Sequence, residues 1–167
     1  LIFASFCISF FAKEAITIFF DDNYLNAIQI VPIISLAYLV SQNSALLNVM
    51  MYQQKKTKIV MFILIGSALL NIILNYLLIP RMGIIGAAYA TLISFSSIFI
   101  FSYILAKKTY FVPYNWKGIL PVVLFLFALY NVFVLIDVSN VYWSIMYKSL
   151  VVILLLGVIF FRFKSTI

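Results

Sequence analysis

The sequence predicts an all-α protein, a polytopic transmembrane bundle of about six helices that reads as one transmembrane domain over residues 1–167. Three observations predict it. Hydrophobic residues make up 66% of the chain and charged residues only 9%, against roughly a half and a quarter in a globular domain, so one water-soluble core cannot hide the apolar surface. The apolar residues fall into runs of roughly 20, the length a helix needs to cross a hydrocarbon layer about 30 Å thick. The runs also lack the polar–apolar alternation of barrel strands. Lipid offers backbone groups no water, so the runs must be helices.

The first run, 1–20, is interrupted by Lys13 and Glu14; its membrane part is expected at 1–12, with 15–20 lying along the interface. The others are expected at 26–50, 59–79, 84–106, 119–136 and 142–161. Their connections are short. Residues 53–58 carry Lys55, Lys56 and Lys58, and residues 107–118 carry Lys107, Lys108 and Lys117. Residues 80–83 form a tight turn in which Pro80 ends one helix and Gly83 admits a positive φ. Pro32 and Pro121 fall in first turns or near helix ends, where a missing donor costs little.

Alternating the connections between two sides places Lys55, Lys56, Lys58, Lys107, Lys108, Lys117, Arg162 and Lys164 together. Lys13 and Arg81 fall on the other side, with Lys148 near it. By the positive-inside rule the lysine-rich side is cytoplasmic, and both ends of the chain face the cytoplasm. The acids Glu14, Asp21, Asp22 and Asp137 all fall outside. Tyr110, Tyr114 and Trp116 flank the inner surface and Tyr142, Trp143 and Tyr147 the outer one, depths that amphipathic rings favour. A net charge of +7 raises the question of nucleic acid, but short basic clusters between apolar runs are a membrane pattern, and no nucleic-acid partner is expected. The chain begins at Leu1, and an upstream part is expected.

Polar residues inside the apolar runs are the candidates for function. The second helix carries Ser41, Gln42, Asn43, Ser44 and Asn48, with Ser41, Ser44 and Asn48 on one face and Gln42 away from it. In the third, Ser67, Asn71 and Asn75 recur every four residues. Such groups should face other helices or a wet cavity, because an amide in lipid is costly. They either hydrogen bond between helices or line a hydrophilic pathway. In the fourth helix, Gly86, Ala90 and Ser94 form one small-residue stripe and Gly83, Ala87 and Thr91 another, a packing face that lets backbones approach closely. Lys148 lies within the last run. Its stem can snorkel to the outer headgroups, the favoured reading, or hold a buried anion.

Other chemistry finds little support. The chain has no histidine, which removes the commonest general base and metal ligand. Cys7 is the only cysteine, so neither an internal disulfide nor a cysteine metal cluster is available. No carboxylate is expected at mid-membrane depth, and no enzyme activity, metal or cofactor is expected.

The segment 71–94, NIILNYLLIPRMGIIGAAYATLIS, resembles a signature of the polysaccharide-biosynthesis or O-antigen flippases, within the superfamily of multidrug, oligosaccharidyl-lipid and polysaccharide exporters. The matching positions are Asn71, Asn75, Leu78, Ile79, Pro80, Gly83, Gly86, Ala87, Ala88, Ala90, Thr91 and Ser94. Lys13 and Glu14 followed by an apolar stretch, Tyr24, and the basic Gln54-Lys55-Lys56 link are similar to that family too. The likeness spans 9–106. The chain departs from it at Asp21, Asp22 and Asn23, where glycine is common, and at Gln54-Lys55, where Gly-Lys is common. The resemblance implies two similar helical lobes facing a central cavity, this chain being most of the second lobe and the N-terminal lobe its partner. It implies a bacterial cytoplasmic-membrane flippase whose substrate is a polyprenyl-diphosphate-linked oligosaccharide. Gln42, Asn43, Asn48, Asn71, Asn75 and Lys148 are then the pathway candidates. A cation-coupled exporter of the same superfamily is the alternative.

Overall fold

A computed structural model describes residues 2–20, 22–108 and 141–164, which are helical almost throughout. Six α-helices occur among them: α1 Ile2–Phe10, α2 Ala12–Phe19, α3 Val31–Gln53, α4 Thr57–Met82, α5 Ile84–Lys107 and α6 Val141–Lys164. The expected helix at 119–136, with Pro121, and the flanking Asp21, Tyr110, Tyr114, Trp116, Lys117 and Asp137 lie outside the described residues. Three helical segments, Ala27–Gln53, Thr57–Met82 and Ile84–Lys107, are long and apolar enough to cross a membrane. The protein is a membrane helical bundle.

Three boundaries differ from expectation, each for a local reason. The first run breaks at Phe11, whose φ of −98° and ψ of 5° leave the helical region, although Phe11 N–H still bonds the Cys7 carbonyl and Ala15 N–H the Phe11 carbonyl, both at 3.0 Å. Regular α-helix begins at Val31 rather than residue 26, because Asp22–Gln29 winds as a 3₁₀ helix. Pro32 falls within the first two positions of α3, where its absent donor has no intrahelical partner to lose. Pro80 does not end α4. It sits inside the last turn, giving up one hydrogen bond to Tyr76, and the helix continues to Met82. Gly83 alone makes the corner, with φ 59° and ψ −137°, a region open almost only to glycine.

The α3–α4 corner is built differently. Lys56 N–H bonds the Met51 carbonyl at 3.1 Å and Lys55 N–H the Tyr52 carbonyl at 2.9 Å, the paired bonds of a Schellman cap. The left-handed position of that cap, usually glycine, is here Lys55 at φ 60°.

Packing centres on α5. Its residues Gly86, Ala90, Ser94, Ile98, Ser102 and Ala106 are buried, one every four positions, and this face is held between α3 and α4. Ser67 Oγ donates to the Ser94 carbonyl at 2.6 Å. Ser102 Oγ donates to Asn48 Oδ1 at 2.7 Å, and Tyr38 meets Phe95 edge-on at 5.9 Å. The pairings 38 with 95 and 48 with 102 make α3 and α5 parallel, with α4 antiparallel between them in chain order. At Gly86 the α4 backbone comes so near that a Cβ there would lie 2.5 Å from the Leu78 carbonyl oxygen. Small side chains thus provide the dispersion contacts that hold helices together in lipid. On α4 only Val60 and Ser67 are buried, and Phe62, Leu69, Ile72 and Tyr76 point outward, Tyr76 81% exposed. Such a face suits acyl chains, not water.

Candidate functional site

The most tightly built polar group in the described residues sits where α1 breaks into α2. Phe10 ends α1, and Glu14 lies in the first turn of α2, where the helix dipole favours an acid. Helix α6 brings Ser144 and Lys148, one turn apart, against this break. Lys148 Nζ donates to Glu14 Oε1 at 2.7 Å and to the Phe10 carbonyl at 2.8 Å. It also stands 5.1 Å from the centre of the Phe10 ring, within cation–π range. Ser144 Oγ donates to the same Oε1, while Glu14 Oε2 is buried without a partner. Glu14 is 4% exposed and Lys148 7%. Around them Phe6 and Phe10 stack at 5.0 Å, with Cys7, Phe11, Val152 and Leu155 packed on the pair.

This geometry corrects one expectation. Lys148 does not snorkel outward; its ammonium turns inward to a carboxylate. Glu14, beside it, is buried too. Burying either ion alone is prohibitive, whereas together, with a carbonyl and a hydroxyl as further partners, they offset much of the desolvation. Sequence reasoning missed the pairing because Glu14 and Lys148 stand 134 residues apart.

The amide candidates do not converge on one point. Asn48 is buried and bridges α3 to Ser102 of α5. Asn43 Nδ2 donates to the Leu39 carbonyl of its own helix at 2.8 Å, and Gln42 is exposed. Asn75 Nδ2 donates to Asn71 Oδ1 at 2.9 Å, so these two half-buried residues form a short amide ladder along α4. Of the motif positions, Gly86 and Ala90 are buried and Ala87 and Thr91 half-buried, while Pro80 and Gly83 are exposed. Thr91 Oγ1 bonds the Ala87 carbonyl at 3.0 Å. A cavity of about 350 Å³ opens between α1 and the start of α3, walled by Ile8, Ala27, Ile30, Ile34 and Tyr38 with Ser5 and Ser35. Its walls are mostly apolar, and none of the amide candidates lines it.

No protein-family model matches the chain, and neither a curated protein nor a solved structure does.

Proposed function

We propose that the chain is part of a flippase that moves a polyprenyl-diphosphate-linked oligosaccharide across the bacterial cytoplasmic membrane, for surface polysaccharide of the O-antigen or capsule type. The observation that carries this reading is the Asn71–Asn75 ladder on α4, half-buried on a helix otherwise clad in apolar side chains. Amides kept at that depth in hydrocarbon need a polar neighbour. A second lobe across a cavity, with sugar hydroxyls passing between, supplies one. The sequence likeness of 71–94 to the flippase signature supports the same reading. The lysine-bearing ends then face the cytoplasm. A clean deletion is expected to strand lipid-linked sugars on the inner leaflet, read by accessibility of the sugars to an impermeant reagent. Normal surface polysaccharide in that strain would count decisively against the proposal.

A specific observation favours the alternative, a cation-coupled drug or metabolite exporter: that mechanism needs a buried carboxylate, and Glu14 is one. Its partner Lys148 already balances the charge, which is why it ranks second. Export driven by an imposed ion gradient and lost in Glu14→Gln, with polysaccharide unchanged, would promote it.

A further inference from the structure

Two lysines occupy positions that the local backbone disfavours. Lys55 holds φ 60°, where glycine is unstrained and other residues are not. Lys58 sits in the first turn of α4, where the helix dipole repels a cation. Neither choice helps the fold, so the charges call for another reason.

The packing brings more of them to the same level. Asn48 and Ser102 are hydrogen bonded, which fixes α3 against α5. Lys55 follows Asn48 by seven residues and Lys107 follows Ser102 by five. At 1.5 Å per residue these are rises of roughly 10 and 8 Å. Lys55, Lys58, Lys107 and Lys108 are therefore at one end of the bundle, and all four are exposed. The described acids lie elsewhere: Glu14 follows α1, whose Ser9 bonds Ser35 near the start of α3, and Asp22 opens the 3₁₀ segment that leads into α3. Directly below the lysines, Tyr52, Ile59, Met61, Phe62, Phe101 and Ile104 turn apolar side chains outward. A cationic ring above an apolar belt matches an amphiphile with an anionic head and hydrocarbon tails.

We propose that this end of the bundle is a binding surface for anionic phospholipid headgroups of the adjoining leaflet, with Lys55, Lys58, Lys107 and Lys108 as its contacts. The surface needs only that the helices stand in a bilayer, and it holds whatever the chain transports. Juxtamembrane lysines each strengthen binding to an anionic surface roughly fivefold, and salt weakens the attraction.

The test titrates the full-length protein, in uncharged detergent, with phosphatidylglycerol or chain-matched phosphatidylcholine and counts retained lipids by native mass spectrometry. Phosphatidylglycerol is expected to bind at least tenfold better, and less so in high salt. Glutamine at all four positions should remove the preference, arginine should keep it, and Arg81→Gln at the other end should leave it unchanged. Lys55→Gly is the sharpest arm: melting temperature should rise as the strain goes, while phosphatidylglycerol affinity falls about fivefold. Equal retention of the two lipids, or a full preference in the four-glutamine variant, would overturn the proposal. So would displacement of the lipid by inorganic diphosphate at equal concentration, since that would make the site one for free phosphate.

Discussion

Replacing Lys148 by methionine is expected to destabilise the protein by about 3–5 kcal/mol, the penalty for leaving a buried charge without its partner. The carboxylate of Glu14 would keep Ser144 as a donor but lose the ammonium 2.7 Å away. Adding Glu14→Gln to that variant should recover most of the loss, because a neutral pair of similar shape has little desolvation to offset. The two single changes should therefore be strongly non-additive. Unfolding of the detergent-solubilised protein by denaturant measures all four corners of the cycle. If the methionine variant unfolds at the wild-type midpoint, the ion pair does not clamp α6 to the α1–α2 break.

The second large effect lies at the α4–α5 corner, where alanine at Gly86 should be costly while the same substitution at Gly66, in mid-α4, should not. A Cβ at Gly86 would lie 2.5 Å from the Leu78 oxygen and 2.7 Å from its carbonyl carbon. Backbone cannot swing aside as a side-chain tip can, so the hairpin must open. Gly86→Ala gains up to about 1 kcal/mol of helix propensity, but overpacking costs typically 1–3 kcal/mol, and more against rigid atoms. The clash wins, and Gly86→Val should fail to assemble. Gly66 in the middle of α4 has nothing within 4 Å of its would-be Cβ, so Gly66→Ala should be neutral or stabilising. Melting temperatures of the two alanine variants, measured side by side, check the prediction; a tolerated alanine at 86 would refute the close approach.

Local physics explains what was legible in advance. Uninterrupted apolar runs placed α4 and α5 within three residues of their observed ends, and the four-residue spacing of Gly86, Ala90 and Ser94 marked the face that α5 buries. Composition alone was enough for an all-α membrane bundle. What escaped reading was set by context. The first turns of the second run are 3₁₀, over Asp22–Gln29, where hydropathy alone gives a continuous helix. Pro80 stays helical because one lost bond in a final turn is tolerable. Asn48 stood out as a buried amide, but its partner Ser102 lies 54 residues away, and no periodicity connects them. The pairing of Glu14 with Lys148 spans 134 residues, so neither charge carries a local mark of the other.

That separation also fixes the order of events during synthesis. The α4–α5 hairpin has its contacts close at hand and can settle as soon as both rods leave the ribosome. Glu14 meets Lys148 only when that lysine emerges, a wait on the order of ten seconds at ordinary elongation rates. Until then the contact by which α6 holds the α1–α2 break is missing. Helix α6 thus settles on α1 and α2 only after α4 and α5 have paired.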